Sequence, residues 1–169
     1  MKILLIVLVG LVLIALSVVG FGSLLPRRHV ASRSASYHAT PEQLFSLIAG
    51  PQNWRLDVLR CESIPDAAGR ELMRETTRNG DTITYELLDS VRPASIRRRI
   101  ATENLPYSGS WAFSLQPSAG ITLVRITENG EVSNPVFRFV SLLLGHTSSL
   151  DSYLRALGKA TGQEVEIKD

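Results

Sequence analysis

The sequence contains one cysteine and three histidines, and their positions exclude several classes of site. The single Cys61 excludes an internal disulfide, and we interpret it as a small buried apolar residue rather than a catalytic thiol. His29, His38 and His146 are scattered, without H-x-x-x-H or C-x-x-C spacing, so no metal site is predicted. The G-x-S-x-G, Walker and G-x-G-x-x-G motifs are also missing, and the sequence predicts no cofactor.

No charge of one sign dominates the sequence. Lysine and arginine total 18 residues against 16 for aspartate and glutamate, which gives a formal net charge of +2. A protein that binds nucleic acid through phosphate contacts needs a broad basic surface, and this balance does not supply one. The sequence therefore predicts no nucleic-acid partner.

Charge is absent altogether from the 23-residue run Ile3–Leu25, which is apolar apart from small residues. As a helix this run would be about 34 Å long, enough for a hydrocarbon core of ~30 Å. We therefore predict a single-pass membrane anchor at residues 1–26, inserted through Ile3–Leu25. A cleaved signal peptide and a buried core helix are the alternatives, but the run is longer than a usual signal h-region and is followed by Pro26-Arg27-Arg28.

Basic residues set the expected orientation of this anchor in the cell (inner) membrane. Arg27, Arg28 and Arg33 outweigh Lys2, so the positive-inside rule favours a cytoplasmic domain. The short Met-Lys start is common in export signals and favours the periplasmic side instead. The link formed by residues 26–29 is short on either reading, so the domain is expected to lie close to the bilayer.

A strand and two helices are predicted directly after the anchor. Residues 29–39 read as a strand of alternating small and polar residues. Thr40-Pro41-Glu42-Gln43 then supplies an N-cap, a proline at the first helical position and a capping box. We expect a helix over Pro41–Ile48 and a second short helix over Gln52–Val58.

Period-two alternation with tight turns occupies the middle of the chain. Asn79-Gly80 separates two strand-like runs and is the strongest kind of short hairpin signal, and Asn129-Gly130 is a second pair of this kind. The stretches "SIRRRIAT", "GSWAFSLQP" and "ITLVRITENGEVS" read as further strands. Roughly five to seven strands joined in this way predict a sequential antiparallel sheet.

The last helix is expected to run from Asn134 to Ala160, with Asn134 as N-cap and Pro135 at the first position. Its unbroken apolar part, Phe139–Gly145, is far shorter than the ~20 residues that a membrane span needs. A stripe in steps of four and three predicts a helix that packs on the sheet: Val136, Val140, Leu143, Thr147, Leu150, Leu154 and Leu157. Residues 163–169 are expected to form a flexible tail.

The order of these elements, with these residues, resembles the START-like superfamily (the SRPBCC or polyketide cyclase/dehydrase group). The resemblance covers about residues 29–160 and is carried by "ATPEQLFSLIAGPQNW", by "GSWAFSLQP…GITLVRIT" and by "NPVFRF…LDSYLRALGKA". A second tryptophan that often follows the position of Trp54 in the family is absent. The resemblance implies an α+β helix-grip fold over residues 27–162: a curved antiparallel sheet, two short helices and a long C-terminal helix.

The resemblance also implies a cavity between the concave face of the sheet and the last helix, which in the family often holds lipids, sterols or polyketides. The residues expected to line it are Trp54, Tyr85, Arg98, Trp111, Phe113, Phe139, Leu143, His146 and Leu150. Core packing is the alternative for the apolar and aromatic residues, and a satisfied structural histidine is the alternative for His146. Tyr107 is a candidate for the rim.

Arg98 is the most informative charged residue. On a strand, Ile96, Arg98 and Ile100 share one face, so Arg98 points inward if that face is the concave one. A buried unpaired guanidinium costs several kcal/mol, so it would need Glu75, Glu86 or a polar ligand head as its partner. The alternative is an edge strand, a slipped register or a guanidinium that reaches water at the mouth of the cavity.

Three classes of function remain open at this point. The leading hypothesis is a membrane-anchored, non-enzymatic domain that binds a hydrophobic small molecule or lipid. The second is a membrane-tethered protein-interaction module without a ligand. The third is a cyclase, dehydratase or hydrolase that uses Arg98, His146 and Glu75, for which the sequence contains no catalytic motif. No catalytic residue is therefore assigned.

Overall fold

The structure is a computed structural model that describes residues 2–66, 68–145 and 147–169. The strands are β1 (Arg28–Tyr37), β2 (Val58–Ile64), β3 (Leu72–Thr77), β4 (Thr82–Val91), β5 (Ser95–Ile100), β6 (Tyr107–Ser118), β7 (Ile121–Val132) and β8 (Ile167–Lys168). They form one antiparallel sheet in the order β2-β3-β4-β5-β6-β7-β1-β8. The helices are α1 (Lys2–Leu24), α2 (Pro41–Ala49), α3 (Pro135–Leu144) and α4 (Ser148–Ala160). The predicted α+β helix-grip architecture is confirmed.

The hydrophobic core lies between the sheet and the helices α2 and α4. Side chains from the sheet, among them Phe113 and Ile126, pack against Leu44 of α2 and Leu154 of α4, and all four are essentially inaccessible to solvent. The hydroxyl of Tyr37 in β1 donates to the backbone carbonyl of Leu154 at 2.9 Å. One continuous core of this kind is what holds α4 on the sheet.

After β1, helix α2 begins as predicted, but the second predicted helix is shorter than expected. Thr40 and Gln43 form the capping box in both directions, and Pro41 occupies the first helical position. The second helix is limited to a 3-10 turn at Gln52–Trp54, whereas the sequence predicts a helix that continues to Val58. Arg55 already has extended backbone, and Val58 begins β2.

Only one of the two Asn-Gly pairs noted in the sequence forms a hairpin turn. Asn79-Gly80 connects β3 to β4, with Gly80 at a φ of 91°. Asn129-Gly130 is not a turn, because β7 continues through it and Gly130 pairs with His29 in β1 and with Gly109 in β6. A Cβ at Gly130 would overlap the His29 imidazole, so this glycine makes room for a side chain on the neighbouring strand.

The single C-terminal helix predicted over Asn134–Ala160 is divided. Helix α3 ends at Leu144, Gly145 adopts a φ of 81°, and α4 begins at Ser148. The apolar stripe is divided in the same way. In α4, Leu150, Leu154 and Leu157 are fully buried, whereas in α3 the side chains of Val136, Val140 and Leu143 are exposed by 41%, 43% and 69%.

Helix α3 packs mainly against the end of α1 and makes only a small contact with the sheet, at β7. The rings of Phe21 and Phe139 meet edge to face at 6.0 Å. Gly22 is buried, and a Cβ at this position would overlap the carbonyl oxygen of Pro135, so the two helix backbones are in contact here. Helix α1 is long and apolar enough to cross a membrane.

The last residues are paired with the sheet, which differs from the flexible tail expected for residues 163–169. Ile167 of β8 pairs with Ala35 of β1, and Val165 packs against the core. The carboxylate of Asp169 forms an ion pair with Arg33. These contacts hold the C-terminus at the edge of the sheet, beside β1.

Candidate functional site

A cleft opens between the sheet and the junction of α3 with α4. Its outer chamber has a volume of about 340 Å³. The strands contribute its floor, α3 contributes Phe137, Val140 and Ser141, and Ser148 and Ser149 come from the first turn of α4. The floor residues are His29, Ile100, Tyr107, Ser108, Gly109, Trp111, Glu128, Gly130 and Val132.

An inner chamber of about 170 Å³ adjoins the outer one. The two chambers share Trp111, Tyr107 and Glu128, so they form one cleft. The inner chamber adds Ile83, Tyr85 and Arg98. A wide apolar mouth therefore leads to a smaller space with a guanidinium in its wall.

Arg98 points to the inside of the fold, which is the orientation expected if its face of the strand is the concave one. Strand β5 is an interior strand between β4 and β6, and Arg98 lies opposite Leu87 on one side and Trp111 on the other. Its residue exposure is 8%, and Ile96 on the same face is 2% exposed. The edge-strand and solvated alternatives are therefore wrong.

Four aromatic rings surround the Arg98 guanidinium. Its central carbon lies 4.9 Å from the ring centre of Tyr85, 5.2 Å from Phe113, 5.5 Å from Trp111 and 5.6 Å from Tyr153. Ring faces are electron-rich and attract a desolvated cation, so this arrangement compensates part of the lost hydration. Among the described residues, neither Nε nor Nη2 of Arg98 has a hydrogen-bond partner.

Glu75, one of the two partners predicted for Arg98, provides the counter-charge to its guanidinium. Its Oε1 lies 3.6 Å from Nη1 of Arg98, and its Oε2 accepts a hydrogen bond from Nη1 of Arg55 at 3.0 Å. The Glu75 side chain is 5% exposed. The other predicted partner, Glu86, instead accepts from Nε of Arg99 at 2.8 Å. The inner chamber is thus lined by a cationic group whose pairing is incomplete.

A polar group on the floor of the cleft is not predicted by the sequence. Glu128 of β7 lies 3.4 Å from Nε2 of His29 on β1, and the Ser149 hydroxyl donates to the other Glu128 oxygen at 3.2 Å. These residues come from three elements, and β1 is far from the other two in the chain. His29 carries no local pattern that marks it as a site residue, and only the pairing of β1 with β7 brings it to Glu128.

The structure brings three of the predicted lining residues together in the cleft: Tyr85, Arg98 and Trp111. Phe113 and Leu150 belong to the packed core instead. Trp54 packs edge to face on Tyr153 at 5.6 Å, and its indole donates to the carbonyl of Leu47.

Two lining residues predicted in the middle of the C-terminal segment, Phe139 and Leu143, are also not among the residues that line the cleft. Phe139 contacts Phe21 of α1, because α3 turns toward that helix rather than toward the sheet. Leu143 is exposed for the same reason. His146 lies outside the described residues.

Burial raises the pKa of Tyr85 and of Tyr153 to about 12, and the Glu75 carboxylate adds to the effect at both tyrosines while the Arg98 cation opposes it. An exposed tyrosine in the unfolded chain ionises near ~10. Burial also raises the pKa of the Cys61 thiol, which is 6% exposed. Within the described part of the chain, no group of three His, Cys, Asp or Glu side chains is placed to hold a metal ion.

These tyrosines make the fold sensitive to alkali. Between pH ~10 and ~12 the unfolded chain releases the phenolic protons first, so the free energy of unfolding should fall as the pH rises. Chemical denaturation of the full chain in detergent at a series of pH values measures this slope. Replacing Tyr85 by phenylalanine should make the slope shallower. Stability that stays constant up to the upper end of this range would contradict the burial of both phenols.

The fold has solved relatives. A START superfamily protein from Mycobacterium smegmatis superimposes with a TM-score of 0.65 at 18% identity, covering 79% of this chain and 97% of that chain. A conserved protein from Geobacillus kaustophilus gives a TM-score of 0.65 at 15% identity, covering 83% and 100%. The chain has the START-like fold. No family model and no curated protein matches the sequence of this START-like domain.

A further solved structure shares the START-like fold. It is the di-domain ARO/CYC BexL from the BE-7585A biosynthetic pathway, with a TM-score of 0.64 at 12% identity. The match covers 86% of this chain and 53% of that protein, so the chain spans about half of its length. At these identities the likeness concerns the fold and carries no assignment of chemistry to the START-like domain here.

Proposed function

We propose that the protein is a single-pass, membrane-anchored START-like domain that binds a hydrophobic small molecule or lipid in the cleft. The main support for this proposal is the cleft between the sheet and the helices α3 and α4. Its outer chamber of about 340 Å³ lies at the lower end of the ~300–1,000 Å³ that ligand sites usually occupy. Most of its wall surface is apolar, and serine hydroxyls, His29, Glu128 and Arg98 supply the polar groups, a combination that is common in sites for an apolar ligand.

The polar groups favour a ligand with one polar end. Arg98 lines the inner chamber with part of its guanidinium unpaired, and Arg55 places a second guanidinium beside the buried carboxylate of Glu75. A ligand whose polar or anionic end reaches Arg98 would complete its hydrogen bonds, and the apolar remainder would occupy the outer chamber. The positive-inside rule then favours the cytoplasmic face for the domain.

Filling the cleft should abolish this binding. Ser149 lines both chambers and is exposed, so Ser149→Trp would occupy the space without disturbing the buried face of α4. With the full chain in vesicles that contain a photoactivatable acyl lipid, we expect crosslinks to the β6 peptide containing Trp111 to fall about tenfold, equivalent to ~1.4 kcal/mol.

The matched control is Ser152→Trp, an exposed position one turn further along the same helix that does not line either chamber. It should retain the crosslinks of the wild type. Crosslinks to α1 provide an internal standard, because the substitution leaves the anchor unchanged. Equal crosslinking of the β6 peptide in wild type and Ser149→Trp would refute binding in the cleft.

One observation favours a second candidate, a membrane-tethered module that docks another protein. The outer face of α3 exposes Val136, Val140 and Leu143, and contiguous exposed apolar residues often mark interaction sites. Crosslinking from position 143 in native membranes distinguishes this function. A discrete protein adduct that disappears on Leu143→Asp would support it, whereas lipid adducts alone would exclude it.

A further inference from the structure

One side of α3 is apolar and substantially exposed in the part of the chain that the structure describes, and Val140 on this side also lies at the mouth of the cleft. Val136, Val140 and Leu143 are spaced i, i+4 and i+7, so they form one stripe along the helix. Their exposed fractions rise from 41% to 69% toward the end of the helix. Within α3 the only charged residue is Arg138, and it points away from this stripe.

The position of α3 relative to α1 indicates what surrounds that stripe. Phe139 contacts Phe21, and the backbone of Pro135 contacts Gly22, so α3 lies beside the last turns of the apolar helix. Small residues at helix contacts, such as Gly22, are typical of helices that associate within a bilayer. A helix of this length places its last turn near the boundary between acyl chains and head groups.

Arg138 fixes this arrangement and keeps its charge out of the lipid. Its Nη1 donates to the carbonyl of Leu25 at 2.8 Å and approaches that of Ser23 at 3.4 Å. The guanidinium therefore caps the C-terminal end of α1, where the helix dipole also favours a cation. Arg138 is 6% exposed, and the exposed Arg27 lies in the adjoining link, at the level expected for anionic head groups.

We infer that α3 is an interfacial helix, embedded beside α1 with Val136, Val140 and Leu143 among the acyl chains of the same bilayer. The inference rests on the membrane anchoring included in the proposed function. It adds a route to the cleft, because Phe137 and Val140 of α3 line the outer chamber. A lipid-embedded α3 places that mouth against the membrane, so an apolar ligand reaches the cleft laterally without crossing water.

Spin labelling of the full chain tests the depth of α3. Nitroxides are attached at Leu143→Cys, at Leu13→Cys in α1 and at Leu59→Cys in β2, each in a Cys61→Ala background. Leu143 and Leu59 are matched in exposure, at 69% and 62%. The protein is reconstituted in vesicles of phosphatidylcholine and phosphatidylglycerol, and collision rates are measured with oxygen and with a water-soluble nickel complex.

The expected result is a ratio of oxygen to nickel collisions at position 143 that is several-fold above that at position 59 and approaches that at position 13. A ratio at 143 equal to that at 59 would overturn the inference, since α3 would then face water. Dipolar broadening between labels at 143 in singly labelled protein would also overturn it, in favour of a second copy of the chain on this face.

The label measurement is independent of ligand binding. If the acyl probe fails to reach the β6 peptide while the label at 143 is lipid-embedded, the proposed cleft function fails and the membrane insertion of α3 stands. If the label at 143 is lipid-embedded and the acyl probe also reaches the cleft, Leu143→Asp tests whether the first is needed for the second. This exposed substitution should leave the circular dichroism spectrum unchanged and lower crosslinking in the cleft several-fold, and unchanged crosslinking would overturn lateral access.

Discussion

Replacing Glu75 by glutamine should lower the free energy of unfolding by about 3–5 kcal/mol, the usual effect of removing one partner of a buried ion pair. Glu75 lies between the guanidinium groups of Arg55 and Arg98, at 3.0 Å and 3.6 Å. Without its charge, Arg98 remains as an uncompensated cation inside the fold. Denaturant unfolding of the full chain in detergent micelles measures the change.

The control for this substitution is Glu62→Gln. Glu62 pairs with Arg60 at the surface, where the two side chains are 36% and 71% exposed, and such pairs contribute about 0–1 kcal/mol. A double variant, Glu75→Gln with Arg98→Met, should regain most of the lost stability, because a methionine can fill the space among the four rings without a charge. If Glu75→Gln costs no more than Glu62→Gln, Glu75 does not hold the cluster together.

Replacing Gln52 by leucine should cost at least about 3 kcal/mol, because one substitution leaves several buried polar groups without partners. Gln52 is fully buried. Its amide nitrogen lies 2.8–3.0 Å from the carbonyls of Leu47, Ile48 and Gly50 at the end of α2, and its oxygen accepts from the Tyr153 hydroxyl at 2.8 Å. This one side chain therefore connects α2 to α4.

Gln43→Leu is the matched control for this second substitution. Gln43 is exposed, and its side chain closes the capping box of α2, so its loss should cost about 1 kcal/mol. Adding Tyr153→Phe should be less destabilising in the Gln52→Leu background than in the wild type, since the hydroxyl has already lost its acceptor. Additive effects of the two substitutions in unfolding measurements would contradict the direct bond.

Much of the fold can be predicted from the sequence, because its signals are local. The capping box at Thr40 and the hairpin at Asn79-Gly80 depend on residues within a few positions of each other, and both are present as expected. The break at Gly145 is not predictable in this way. The apolar stripe continues through it, so hydrophobic periodicity does not mark the break, and in the structure α3 packs against α1 while α4 packs on the sheet. The same applies to Gly130, whose role depends on His29, on a different strand.

The candidate site is predictable only in part, for a related reason. Strand alternation alone places Arg98 on the same face as Ile96, and the structure agrees. The polar floor of the cleft needs the register of β1 against β7, which brings His29 to Glu128 across 99 residues of sequence. Hydrophobic periodicity contains no information about such pairings, since it identifies the face of a strand and not its neighbour.

The connection between α1 and β1 consists of residues 25–27 only. Fully extended, three residues span roughly 11 Å, which is small compared with the domain itself. With α1 held in a bilayer, the domain therefore cannot swing away from that surface or carry a cargo to a distant membrane. Any transfer of a bound molecule must take place where the anchor lies, and the recipient must come to the domain.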